Sequence, residues 1–481
     1  MDNNNHTFSS WLRSPAHHQW LALEGNRLLT FAKASRLDNG FGSLDDYGRL
    51  MVGATAETMN TARMTHCFAM AHVQGIPGCA ALVDHGIAAL RGPLRDAEHD
   101  GWFSAALEDG GRTEKQAYLH AFVALAASSA VVAGRPGAQA LLSNAIQVIQ
   151  TRFWSEQEGA MRESFAQDWS NEEAYRGANS NMHSTEAFLA LADVTGDAQW
   201  LDRALSIVER VIHQHAGANN FQVIEHFTQN WQPLPDYNRE NPADGFRPFG
   251  TTPGHAFEWA RLVLHLEAAR RHAGRSNPEW LLDDARQLFA NACRYGWDVD
   301  GAPGIVYTLD WQNQPVVRHR LHWTHCEAAA AAAALLQRTG EQQYEDWYRR
   351  FWEFNETLFI DHEHGSWRHE LNQRNEPSAD IWPGKPDLYH AYQATLLPVL
   401  PLAPSLASAL AGQEAAGQDH AEQAQGLHGQ HETDIGMSID GNNGHGVQAA
   451  RAGCQVHREV ILAHHRCNQP GRQGAQNDQQ Q

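Results

Sequence analysis

Two stretches of this chain carry side chains able to move protons. In "GTTPGHAFEWARL", residues 250–262, His255 and Glu258 stand three residues apart on one face of a helix's first turn, whose other positions are apolar. An imidazole takes up and returns protons near neutral pH, and a nearby carboxylate orients the ring and raises its basicity. In "KPDLYHAYQATL" a second imidazole, His390, is followed by Gln393. The remaining polar groups suit recognition. "RGANSNMHSTEAFL" sets Asn179, His183 and Glu186 at i, i+4 and i+7, and "RLHWTHCEAA" supplies Trp323 and Glu327. "NTARMTHCF" adds Arg63 and "EKQAYLHAF" adds Tyr118. Aromatic faces such as Trp323, Tyr118 and Phe246, set among His, Arg, Glu and Asn, suit a sugar, whose ring has apolar faces and hydroxyl edges.

Other chemistries find no support. There is no phosphate-cradling glycine loop or dinucleotide fingerprint, and neither G-x-S-x-G nor H-E-x-x-H occurs. In "HWTHCE" the residues His322, His325 and Glu327 are types that bind metal, but five residues along a helix His322 and Glu327 diverge. The expectation is no metal and no cofactor.

These groups need a scaffold, and the sequence describes one. Helical periodicity dominates to about residue 410 and comes in pairs. Six segments are amphipathic, such as "QWLDRALSIVERVIHQHAG", and suit an outer layer. Six are more uniformly apolar and Ala-rich, such as "THCEAAAAAAALLQRTG", and suit an inner layer; several end at Gly. Each inner segment carries a histidine near its start: His66, His120, His183, His255, His325 and His390, separated by 54, 63, 72, 70 and 65 residues. Any one alone reads as a structural histidine. Their recurrence in all six units predicts that they line a single polar pocket. Stretches such as "GAMRESFAQDW", "GIVYTLDWQNQPVV" and "GSWRHELNQRNEP" read as short hairpin strands or long loops. The predicted fold is all-α, an (α/α)6 barrel of six helical hairpins, with hairpins and long loops at the active-site mouth.

The chain is 481 residues long with a formal charge of −20, which argues against nucleic acid and anionic membranes as partners. No run approaches the ~18 apolar residues of a membrane span. The opening "MDNNNHTFSSW" has neither the charged nor the apolar region of a secretory signal. Six cysteines without framework spacing fit a reduced, cytoplasmic setting. Residues 1–410 are expected to form the catalytic barrel. Residues 411–481, rich in Gln, Gly, His and Ala, are expected to be a low-complexity tail too apolar-poor to build a core. A homo-oligomer is compatible with the sequence.

The motifs "GANSNMHSTEAFLALADVTG", "TPGHAFEWARL", "HWTHCEAAAA" and "GKPDLYHAYQATLLP" resemble the N-acylglucosamine 2-epimerase superfamily, and within it the aldose–ketose isomerase branch. The resemblance spans roughly residues 10–403. It implies an (α/α)6 barrel, a monosaccharide substrate, proton transfer by His255 and ring opening by His390. Sugar-binding roles are implied for Arg63, Tyr118, Asn179, His183, Glu258, Trp323 and Glu327, and for Arg247 in "DGFRPFG". The implied reaction is reversible conversion of D-mannose to D-fructose through a cis-enediol, without a metal. The alternatives are sulfoquinovose isomerisation, 2-epimerisation of cellobiose or N-acylglucosamine, and a catalytically dead carbohydrate-binding barrel. The sulfoquinovose branch carries Gln four residues before the His390 position, where this chain has Pro386, which disfavours an anionic sugar.

Overall fold

All twelve periodic segments fold as helices in the computed structural model, which describes residues 10–416. They are α1 (Pro15–Ala32), α2 (Thr58–Val73), α3 (Cys79–Arg91), α4 (Ala117–Val132), α5 (Ala138–Val148), α6 (Ala178–Thr195), α7 (Gln199–Val208), α8 (Pro253–His272), α9 (Trp280–Gly296), α10 (His322–Thr339), α11 (Gln342–Phe354) and α12 (Tyr389–Leu396). None of the described helices is long and apolar enough to cross a membrane.

The two sequence classes become two layers. Helices α2, α4, α6, α8, α10 and α12 pack side by side, and α12 returns to α2, so the inner ring closes. Buried on both sides, these helices need no polar face. In α10 every residue from Ala328 to Ala334 is buried, and their small side chains let neighbouring backbones approach closely. The outer helices bury one stripe each. In α7 that stripe is Trp200, Leu201, Ala204, Ile207 and Val208. Gly196 and Gly340 close α6 and α10 at φ of 68° and 72°, the left-handed conformation that glycine adopts without a side-chain clash.

Five hairpins are consecutive in the chain. The sixth joins the two ends of the barrel, inner α12 packing on outer α1.

Short strands organise the mouth. The loop returning from each outer helix pairs with the residues that enter the inner helix of the same hairpin. Lys115–Gln116 pairs antiparallel with Ser164–Phe165, Tyr175–Gly177 with His226–Thr228, and Arg320–Leu321 with Glu370–Leu371. Glu57 bridges to Ala105 and Thr251 to Leu309. In the sixth hairpin the Lys385 N–H donates to the Leu44 carbonyl at 2.8 Å. The expected hairpin stretches are thus present, and they pair with the helix entrances as well as within themselves, as Leu309 with Pro315 and Leu371 with Pro377.

The expected tail, residues 411–481, lies outside the described residues except for 411–416. These continue a helix that begins at residue 406 and buries Ala407, Ala409 and Leu410.

Candidate active site

The opening turns of the inner helices surround a cavity lined by Arg63, Tyr118, Asn179, His183, His255, Glu258, His322, Trp323, Asp387 and His390. The starts of the inner helices lie at this cavity, and their positive dipole ends favour negative charge developing there.

Two histidines on its wall share one arrangement. His255, on α8, holds its Nδ1 2.9 Å from Oε1 of buried Glu225. His390, on α12, is bound through Nδ1 to Asp387. A carboxylate can only accept, so each Nδ1 carries the proton and each Nε2 keeps a lone pair. Burial alone would raise the Asp387 carboxyl, but His390 and Arg63 (3.7 Å away) hold it well below its usual range, so it stays anionic. Trp323 lies between the two imidazoles, its ring centroid 5.1 Å from His255 and 5.9 Å from His390. Gly254 makes this possible. A Cβ there would stand 2.6 Å from Cζ3 of Trp323 and 2.8 Å from Oγ1 of Thr324.

The floor is a buried charge network. Arg261 forks onto Glu327 at 2.8 and 3.2 Å and approaches Glu258 at 3.6 Å and Glu186 at 4.0 Å. Burial first, then the Glu327 carboxylate, raises the Glu258 carboxyl well above its ordinary value, which favours the protonated form. Its Oε1 has no partner within the protein. Burial lowers His183 to a pKa of about 4 and keeps it neutral, 3.7 Å from Glu186 and 3.8 Å from Glu258. Arg63 donates to the Tyr118 hydroxyl at 2.9 Å and lies over the Phe122 and Tyr389 rings.

The structure brings together Arg63, Tyr118, Asn179, His183, His255, Glu258, Trp323 and His390. It sets two expected sugar contacts apart. Glu327 lies beneath the wall with both oxygens on Arg261. Arg247 stands in the outer vestibule, forked onto Glu173 at 2.7 and 3.1 Å and stacked over Tyr175. The expectation that all six helix-start histidines line one pocket is corrected. His120 and His325 anchor loops: each ring nitrogen Nδ1 binds the carbonyl four residues back, Gln116 or Leu321, and each Nε2 accepts a loop N–H, from Trp102 or Ile305. Asn181 does the same with Gly177 and Met161. His66, in the third turn of α2, binds Ser129. The "HWTHCE" trio does not converge, since His325 is an anchor and Glu327 belongs to Arg261.

Sequence reasoning missed Glu225, Arg261 and Asp387. Asp387 was visible as a carboxylate three residues before His390. Glu225 sits in a loop 30 residues from its histidine, and nothing local marks it.

The sequence profile of N-acylglucosamine 2-epimerase (GlcNAc 2-epimerase) matches residues 40–394. The chain belongs to this family. A D-mannose isomerase of Pseudomonas cannabina pv. alisalensis is 92% identical over 412 residues, which cover 86% of this chain and all of that protein. A D-mannose isomerase of Thermobifida fusca is 52% identical across 83% of this chain and 98% of its own. A crystal structure of a D-mannose isomerase superposes with a TM-score of 0.73 at 28% identity, covering 80% of this chain and 99% of that one. The six-hairpin barrel read from the sequence is therefore the fold of the family.

Proposed function

We propose that the chain is an aldose–ketose isomerase that interconverts D-mannose and D-fructose. The observation that carries this reading is the pair of imidazoles, each held at Nδ1 by a carboxylate, both in contact with Trp323 on the wall of one cavity. The sugar's apolar face rests on Trp323. Ring opening transfers the O1 hydroxyl proton away and delivers a proton to O5, with His390 as the shuttle. The C1 aldehyde then acidifies C2. His255 Nε2 takes the C2 proton, the C2 electrons form the C1–C2 double bond, and O1 is protonated, giving the cis-enediol. Loss of the O2 proton and return of a proton from His255 to C1 gives the ketose. Arg63, with Glu258 in its protonated form, stabilises charge on the enediol oxygens. Tyr118, Asn179 and His183 bind hydroxyls, and Arg247 guards the vestibule. Glu327 fixes Arg261, which in turn sets Glu258.

No metal or cofactor enters this reading, and dialysis against EDTA should leave the rate unchanged. Pro386 on the cavity wall offers no donor to an anionic sugar. The four cysteines among the described residues are free and buried, and a cytoplasmic setting is part of the proposal. The test is D-mannose deuterated at C2. One base serving C2 and C1 on the same face yields fructose with part of the label at C1, diluted by exchange with water. Glucose as the main product would replace this reading with 2-epimerisation.

A further inference from the structure

His322 opens α10, lies on the cavity wall and is 3% exposed. Neither of its ring nitrogens makes a well-formed hydrogen bond within the protein; the nearby acceptors are the His369 backbone and the Asp387 carboxylate. Burial, foremost, lowers its pKa to about 4, so at neutral pH the ring offers one donor and one acceptor. Leaving both unpaired in a buried site is costly, which points to a ligand that pairs them. The ring is also fixed in place. It stacks on His369 with centroids 3.9 Å apart and planes 5° from parallel. Its Nε2 stands 3.6 Å from Oδ2 of Asp387, beyond hydrogen-bond reach.

Its place along the wall says which part of a sugar it meets. Trp323 contacts His255 on one side and His390 on the other, and the His322 ring meets His390 at 6.2 Å. The order is therefore His255, Trp323, His390, His322. On the isomerase reading, which this inference rests on, C1 and C2 lie at His255 and the ring oxygen at His390. The atoms past the ring oxygen are C5 and C6.

We propose that His322 hydrogen-bonds the C6 hydroxyl of the hexose, selecting a six-carbon aldose over D-lyxose, the five-carbon aldose of the same C2–C4 configuration. The residue is a specificity determinant and takes no part in the proton transfers.

The experiment measures ketose formation from D-mannose and from D-lyxose by the full chain, its His322→Phe variant and its His322→Gln variant. Phe keeps a ring to stack on His369 and removes both nitrogens; Gln restores a donor and an acceptor. His322→Phe should lower kcat/KM for mannose about tenfold, chiefly through KM, the effect of one lost neutral hydrogen bond. Lyxose should change less than about twofold, and His322→Gln should recover part of the mannose preference. If Phe lowers the melting temperature, His322→Leu is read the same way. An equal fall on both sugars, or an unchanged ratio, overturns the proposal while leaving the isomerase reading in place. A wild-type chain that forms ketose from neither sugar overturns both.

Discussion

Each of the two imidazoles at the cavity has a carboxylate on its Nδ1, and the two groups do separable jobs. His255→Asn removes the proton carrier and should lower kcat on the order of 10²–10⁴-fold while the fold, read by melting temperature, is kept. Glu225→Gln leaves the carrier but offers Nδ1 an amide that can donate as well as accept, so the wrong tautomer becomes available. Its kcat should fall on the order of 10²-fold with KM within a few-fold. Steady-state kinetics on mannose check both; a Glu225→Gln enzyme as fast as wild type would make that carboxylate merely structural. Gly254→Ala tests the third member. The new Cβ, 2.6 Å from Trp323, must push the indole off the position between the histidines. Activity should drop at least about tenfold with little loss of fold, because the shift is local. Two of these three were legible: "GTTPGHAFEWARL" shows the imidazole and the glycine, while Glu225 is brought to His255 only by the loop following α7.

The helices were legible because two-sided burial and one-sided burial leave different compositions, and the Ala run of α10 differs from the striped α7 on sight. What the elements do at their starts was not. A histidine four residues past an extended entrance looks the same whether it meets a sugar or a loop backbone. His183 and His325 each stand in the first two turns, yet only the contacts of His325 with the Leu321 carbonyl and the Ile305 N–H give it away. The anchor needs one donor and one acceptor at fixed spacing, and Asn181 shows that an amide supplies them. His325→Asn should therefore be tolerated better than His325→Ala, which strands a buried N–H and carbonyl at a cost of about 1–3 kcal/mol. Urea denaturation of the two variants, compared with wild type, measures this. Equal destabilisation would show that ring packing against Phe354 and Phe359, rather than the hydrogen bonds, holds the position.

Because the sixth hairpin unites α1 with α12, the barrel closes only when both ends of the catalytic segment are present. The helix over 406–416 buries three side chains, so the expected boundary is better cut after 416: truncation there should preserve activity and melting temperature, whereas truncation after 403 should lower the melting temperature measurably. The closed ring also has a titration signature. Burial is the leading cause that lowers six histidines, to about 4 for His66, His183 and His322 and to about 3 for His120, His265 and His325. A folded-state value below the unfolded 6.5 means that the unfolded chain binds the proton first as pH falls. The stabilisation is thus complete above pH 6.5 and is lost as pH drops through the folded values. Glu258, raised by burial, acts in the opposite sense: its contribution is complete below its unfolded value and lost as pH rises through the folded one. With His17, His215, His226 and His369 lowered as well, these histidines outnumber the raised carboxyls Glu57, Glu163, Glu258 and Asp284, so melting temperature should fall steadily from pH 6.5 toward 4. Each histidine contributes a slope of about 1.4 kcal/mol per pH unit in that window. His120→Asn, which keeps the anchor and deletes one titrating ring, should flatten the slope by about that amount. If urea denaturation at pH 6.5, 5.5 and 4.5 gives the same slope for His120→Asn as for wild type, His120 is not among the groups that set the acid limit.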